Sequence, residues 1–496
     1  MSFFKRISQA FIWNHLNKIV GYLLDFLLSV VLARGLGNYQ FGIYSELWNF
    51  VFLFSLIGTF GIDTAINVYL PKFTNQPQII SSYLRKTMFA FGLIACGVIL
   101  LLNFSGNYLS AFVHTPELGG LLKLTSFYIV LFSFLLIAQM ILISFYAAKF
   151  LFWVNSILKL ATIIISYFIL SNQGNLNQVI IGFIVINIII SGVYFIRFFK
   201  YLRPKPAVTK AWPYFKFGLV AWTTQFVNYL LGRYFDIFLL GYFAISKQEI
   251  GYYNIAFSIT LALHYFFTSG FGGITTAAFS EFEQQHQRHS IATGWLKVTK
   301  VCIFFSLPVF LYVILNAKKI IQCIYTEAFL SSSILLQVFA SFYLISVILG
   351  SGVNSSVLYA IRKEKIILYL RSALGLLNVI LDILLIPYIG AMGAIIATGF
   401  ATMGIISLEF RFVNKFIHLT FPLLFLSKIT LASIVSLGIV QFISIANLFE
   451  LILNGFSYVL LFLFFIFFLK PFSLDDLRQI KEINATLGKL VGYLTK

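Results

Sequence analysis

Acidic side chains are scarce in this chain. Sixteen Asp and Glu stand against 35 Lys and Arg in 496 residues, and the four types together make up 10%. A soluble protein of this length needs roughly a quarter of its residues charged to cover its surface, so a soluble globular fold is excluded. Cysteine is nearly absent: Cys96, Cys302 and Cys323 lie in apolar surroundings at no metal or disulfide spacing, and read as packing residues. No G-x-x-x-x-G-K-[ST] loop occurs, which removes the familiar phosphate cradle of ATP-driven machines. Period-2 alternation is missing as well, which excludes a membrane β-barrel.

What the chain has in abundance is apolar residues, 60% of the total. They come in runs of about twenty, the length that crosses a hydrocarbon core of about 30 Å as a helix. In lipid only helices and closed barrels satisfy the backbone, so the fold class is all-α integral membrane. Fourteen spans are expected near 9–33, 42–70, 87–104, 121–145, 150–170, 178–199, 214–243, 250–280, 295–316, 332–359, 366–386, 391–413, 424–443 and 450–469. The N-terminal run is broken by Asn14, His15, Lys18 and Asp25 and lacks a small-residue cleavage site. It reads as a retained first span.

The formal charge of +19 invites a nucleic-acid reading, but the basic residues sort by membrane side. With the N-terminus cytoplasmic, inside segments carry 26 of them and outside segments five: Arg34, Lys123, Lys247, Lys318 and Lys319. One miscounted helix would invert every later loop, so the split supports both the count and cytoplasmic termini. The other four, Lys18, Lys159, Arg233 and Arg371, fall within spans. Placing each there costs roughly 3 kcal/mol, which marks them as functional candidates.

Six spans return a chain to its starting side, so a duplicated six-helix unit keeps its orientation. Asn17, Gly21 and Asp25 recur 211 positions later as Asn228, Gly232 and Asp236. Gly42, Tyr44 and Gly61 recur 209 later as Gly251, Tyr253 and Gly270. The expected organisation is two pseudo-symmetric bundles, 1–203 and 204–415, an added helix pair at 416–470, and a tail at 471–496. In that tail Leu477, Ile480, Leu487, Leu490 and Leu494 share one face, as in an amphipathic surface helix. Its Asp475-Asp476 pair reads as a helix N-terminus.

Four spans carry narrow polar stripes at helical spacing. Span 1 presents Asn14, Lys18, Gly21 and Asp25; span 7 presents Gln225, Asn228, Tyr229, Gly232 and Asp236, with Arg233 at the edge. Span 5 offers Asn155, Lys159, Thr162 and Ser166, and span 11 offers Arg371, Gly375, Asn378 and Asp382. Such stripes must face each other or water. A plainer reading has the Asp residues pairing with bases to glue helices, and Lys18 and Arg371 snorkelling to the inner surface. Recurrence in both halves favours a hydrated cavity. Its cations would be Lys18, Lys159, Arg233 and Arg371, assisted by Asn14, Gln225 and Asn228. Asp25, Asp236 and Asp382 would be the groups able to load an ion. His264 reads as packing, and Glu46 and Asp63 lie too far apart around their helix to form one site.

Ala33-Arg34-Gly35-Leu36-Gly37 followed by Phe41-Gly42-Ile43-Tyr44 resembles the first hairpin of the Wzx-like polysaccharide flippases. These belong to the multidrug/oligosaccharidyl-lipid/polysaccharide (MOP) exporter superfamily. Leu377-Asn378 through Ile386-Pro387, with Gly390, Gly393-Ala394 and Ala397-Thr398, is similar to that family's span 11–12 signature. Asp382 stands where the family usually shows a neutral residue, often Asn. The resemblance implies a MATE-like fold without cofactors. It also implies an alternating-access flippase that turns undecaprenyl-diphosphate-linked repeat units of O-antigen, capsule or exopolysaccharide across a bacterial inner membrane. H⁺ or Na⁺ would drive it, and its partners would be membrane lipids and other polysaccharide-assembly proteins, not nucleic acid.

Two alternatives compete. A cation-coupled drug or metabolite exporter of the same superfamily usually has twelve spans and an acidic or apolar cavity, unlike the four bases here. A membrane polymerase or glycosyltransferase needs a large outer loop with acid–base groups. The longest outer loops, near 105–120 and 317–331, are about fifteen residues and hold His114, Glu117 and Glu327 without partners. The topology has a direct test in intact cells carrying a chain without its native cysteines. A cysteine placed at Asn107 reacts with an impermeant thiol reagent, and one at Lys205 does not; the opposite pattern overturns the orientation.

Overall fold

The computed structural model describes residues 3–73, 75–145, 147–230, 232–268 and 272–473. The side chains of 3–12, 14, 15, 233, 268, 272–274 and 277 lie outside the described set, as does the expected tail helix from residue 474. Every element of regular secondary structure among the described residues is helical, as the apolar runs require. The helices are α1 (Phe3–Thr59), α2 (Ile62–Tyr69), α3 (Pro77–Phe112), α4 (Leu118–Ser144), α5 (Ala148–Ser171), α6 (Leu176–Phe199), α7 (Trp212–Leu230) and α8 (Arg233–Tyr242). They continue with α9 (Lys247–Thr268), α10 (Gly272–Gln284), α11 (Arg288–Ile324), α12 (Ser332–Ile348), α13 (Val353–Ala360), α14 (Glu364–Ile417), α15 (Leu423–Val440) and α16 (Leu448–Leu469). Among the described residues ten helical segments suffice, by length and composition, to cross a membrane, the α12–α13 stretch counting as one. The chain is a multi-pass membrane protein.

Several expected spans differ in how they break. Spans 1 and 2 are fused in α1, which is interrupted only at Gly37 (φ 75°, ψ 172°). Span 2 then breaks again at Gly61 (φ 71°), a left-handed position that glycine occupies without a Cβ penalty. Spans 11 and 12 are likewise fused in α14, with the break at Ile389 and Gly390 (φ 55°) after Pro387. The loops expected outside shrink because helices run beyond the expected ends of their spans. Between α3 and α4 only Val113 to Glu117 remain outside a helix, since nothing in Asn103–Phe112 breaks a helix before Pro116.

The chain divides into two compact units. The first comprises residues 1–254 with 386–391, and the second 255–385 with 392–496. In the first, α1 packs on α4 and α5, α3 on α4, and α2 on α4 and α7. Its core gathers Leu135, Ile141, Tyr83, Tyr194, Phe198 and Tyr214. Lipid supplies no hydrophobic drive between helices, so close packing and hydrogen bonds must hold them. Hence Tyr214 and Thr87 share a hydrogen bond at 2.7 Å, and Trp222 donates to the Leu56 carbonyl at 3.0 Å. In the second unit α11 packs on α12 and α15, and α10 on α13. There Trp295 donates to Asn354 at 2.7 Å and Tyr458 to the carbonyl of Pro308 at 2.9 Å.

Candidate functional site

The polar stripes of α1 and α5 face each other. Lys159 Nζ lies 2.6 Å from Asp25 Oδ2 and also donates to the Gly21 carbonyl at 3.1 Å. One turn away Asn155 donates to Asn17 at 3.4 Å and accepts from Tyr194 at 2.6 Å and from Gln139 at 3.3 Å. The network thus draws on α1, α4, α5 and α6. Its charged end is open: the Lys159 and Asp25 side chains keep 31% and 56% of their surface exposed. Thr162 and Ser166, the rest of the α5 stripe, turn back to their own helix at the Leu158 and Thr162 carbonyls. Lys18 is exposed on α1, and the side chain of Asn14 lies outside the described residues.

The span 7 residues scatter. Gln225 donates to Thr64 at 2.9 Å, while Asn228 is exposed. Arg233 opens α8, but its side chain lies outside the described residues. Asp236 is fully buried and accepts from the Tyr253 hydroxyl at 2.7 Å. In the second unit Asp382 is fully buried and accepts from Asn378 at 3.1 Å, an i to i+4 contact on α14. Arg371 lies 3.9 Å from Glu409 and donates to Ser355 at 3.2 Å. Ser355 is within 2.8 Å of the buried Glu409, so the carboxylate is held by a hydroxyl and a guanidinium. His264 packs edge-on against Tyr343 with ring centres 5.0 Å apart.

One carboxylate that sequence reading set aside sits in an enclosed ion pair. Glu46 on α1 is fully buried and pairs with Lys247 at 3.1 Å, whose side chain is 8% exposed. Thr115 donates to the same carboxylate at 2.7 Å, and Lys247 also reaches the Val113 carbonyl at 3.2 Å. Glycines make the approach possible. A Cβ on Gly42 would collide with the Lys247 carbonyl, and one on Gly241 with the Glu46 carboxylate. The same end of this unit carries further ties, from Asn254 to Ser45 (2.9 Å), Asn38 to Tyr252 (3.0 Å) and the Ala391 amide to Glu249 (3.2 Å). Spacing could not reveal the pair, because its members are 201 residues apart. The only signal was a lysine standing apart in a loop expected outside. Glu117, left alone in the sequence, accepts from Tyr39 at 3.1 Å, and Glu327 from Gln322 at 3.0 Å.

Among the described residues no group of three or more His, Cys, Asp or Glu is placed to hold a metal ion. What the arrangement offers is ammonium, guanidinium, amide and carboxylate groups on membrane-length helices.

This is the fold of the MOP superfamily of membrane flippases and transporters. The lipid II flippase MurJ, in an inward-closed conformation, superposes with a TM-score of 0.71 at 21% identity, over 92% of this chain and 98% of its own. An inward-facing multidrug-resistance MATE transporter of the MOP superfamily follows at 0.67 and 14% identity, over 80% of this chain and 94% of that one. A MOP transporter from Pyrococcus furiosus scores 0.56 at 12% identity, over 84% and 96%. In sequence, an uncharacterized membrane protein of Methanocaldococcus jannaschii is 23% identical over 97% of this chain and 99% of its own. The polysaccharide biosynthesis protein family matches residues 31–334, and the chain belongs to that family.

The buried pair yields a measurable expectation. Removing one partner of a buried ion pair costs about 3–5 kcal/mol, because the other charge stays behind. Glu46→Gln therefore lowers the unfolding temperature of the purified protein sharply, and adding Lys247→Met restores most of the loss. If Glu46→Gln alone melts like the native chain, the pair does not hold this end together.

Proposed function

We propose that this protein is an alternating-access flippase that carries polyprenyl-diphosphate-linked oligosaccharides from the cytoplasmic to the outer leaflet of a bacterial inner membrane. On this reading the chain crosses fourteen times with both termini cytoplasmic. Its bundles span 1–203 and 204–415, with an added helix pair at 416–470. The observation that carries the reading is the Lys159–Asp25 pair. A charged pair open on helices of membrane length cannot face hydrocarbon without heavy cost, so it faces water or a polar substrate. Family membership and the full-length likeness in fold to a lipid II flippase support the choice of substrate class.

The chemistry suits a lipid diphosphate. Arg presents a planar fork to phosphate oxygens and Lys a point charge. Lys18, Lys159 and Arg233 would hold the head group, with Asn14, Gln225 and Asn228 as neutral donors and acceptors, while the polyprenyl tail stays in lipid; Arg371 is proposed as a further substrate-binding cation. Lys159 is already engaged by Asp25, so the incoming diphosphate and the Asp25 carboxylate compete for one ammonium. A proton or Na⁺ loaded on Asp25 frees Lys159 for substrate; its release lets Asp25 reclaim the base and expel the anion. Asp236 and Asp382 are the other two carboxylates proposed to load an ion. A ligand shifts such an equilibrium only through unequal affinity for the two states, and this competition supplies the inequality.

Export of lipid-linked glycan, measured beside the protein's amount in the membrane, tests the site. Lys159→Ala and Lys18→Ala each reduce export at least about tenfold, the effect of one lost contact of about 1.4 kcal/mol. Asp25→Asn retains substrate binding but loses dependence on the ion gradient. Normal export by both lysine variants would place the diphosphate elsewhere.

A further inference from the structure

The first unit contains a second cationic feature, which the transport path does not use. After α6 the chain runs through Leu202-Arg203-Pro204-Lys205-Pro206-Ala207-Val208-Thr209-Lys210 before α7 begins. Hydrogen bonds fold this linker onto the first turns of α3. Ser81 donates to the Pro204 carbonyl at 2.8 Å, the Ala207 amide to the Gln78 carbonyl at 3.1 Å, and Ser82 and Thr209 share a bond at 2.9 Å. Two cations close the fold. Arg85 donates to the Leu202 carbonyl at 3.0 Å and to Ser81 at 3.3 Å; Lys86 donates to the Thr209 carbonyl at 2.6 Å and its hydroxyl at 2.9 Å. Between helix and linker lies a groove of about 400 Å³ lined by Ser82, Arg85, Lys86 and Pro206–Thr209.

Every one of those four bonds goes to a neutral acceptor, so neither charge is balanced by them. The surrounding sequence cannot balance them either, since no Asp or Glu occurs from 64 to 116 or from 118 to 235. Lys72, Arg203, Lys205 and Lys210 add to the same potential. The positive end of α3 adds more, because no side chain caps its first turn. The linker also carries apolar groups turned outward: Val208 is fully exposed, and Trp212, at the start of α7, is 70% exposed. Exposed apolar and indole groups beside a basic segment are what an interfacial position in a bilayer stabilises.

We infer that this groove binds the phosphate of a lipid head group in the adjoining leaflet, with Arg85 and Lys86 as its ligands. The leaflet is the cytoplasmic one on the orientation proposed above. Phosphate there has two sources, an anionic phospholipid or the diphosphate of a polyprenyl carrier; in the second case the groove is a collecting point ahead of the path lined by Lys18 and Lys159.

Native mass spectrometry of the full-length protein in mild detergent, titrated with phosphatidylglycerol or with undecaprenyl diphosphate, tests this without any flipping assay. A failure of the flippase reading therefore leaves the result intact. Arg85→Gln/Lys86→Gln keeps donors for the carbonyls but removes both charges. At about the worth of one basic group per charge at an anionic surface, it weakens retention roughly tenfold to thirtyfold. Val208→Asp, which alters only an exposed side chain, weakens it too without touching the linker's hydrogen bonds. The same charge loss at Lys363→Gln/Lys365→Gln leaves retention unchanged. Charge-dependent retention of phosphatidylglycerol alone identifies a phospholipid site, and retention of undecaprenyl diphosphate identifies the collecting point. Wild-type retention of both lipids by the double variant and by Val208→Asp overturns the inference, as does an equal loss in the Lys363/Lys365 variant.

Discussion

A charge in a hydrocarbon solvent must be paired, hydrated or drawn to an interface, and the described polar contacts follow from which of these each charge achieves. Glu46 and Lys247 are paired and enclosed. Around them the backbones come close enough that Gly42 and Gly241 admit no side chain. Lys159 and Asp25 are paired but open, so their contact can be exchanged for another. Arg85 and Lys86 sit where a helix begins and a linker folds back, with carbonyls for partners and water or head groups within reach. These three settings give one residue chemistry three uses: holding, exchanging and binding.

The apolar period carried the fold a long way. Membrane-length helices, an all-helical class and membership in a polysaccharide biosynthesis family were legible from run length and short motifs. What run length could not show was where helices bend. Gly37 and Gly390 interrupt helices that otherwise continue between two spans, because a residue with positive φ kinks a helix without adding a loop. Gly61 splits a span that hydropathy treats as a single run. Nor does apolarity mark where a helix ends, since α3 runs on to Phe112 with no residue to stop it.

For the site, helical phase was informative within an element and silent between elements. It placed Gly21 and Asp25 on one face of α1 and Asn155 and Lys159 on one face of α5, and those faces meet. It missed Glu409, because nothing local ties that residue to Arg371, 38 positions earlier on the same long helix and across its break. Pairing between distant segments is decided by packing, and packing of apolar helices is set by small residues whose role emerges only in three dimensions.

The internal repeat shows the same limit from another side. Asp25 and Asp236 stand 211 positions apart at matched places in the sequence repeat, and a matched place would suggest a shared task. Their surroundings differ in kind. Asp25 is largely exposed and holds an ammonium at 2.6 Å, whereas Asp236 is fully buried and accepts the phenol hydroxyl of Tyr253. A carboxylate bound to a cation near water can exchange that cation, whereas a fully buried one is shut off from the water that such an exchange draws on. Matched spacing fixes the position on the helix, because the 3.6-residue period sets which face a residue occupies. It does not fix the partner, because a partner on another helix is chosen by how the helices pack.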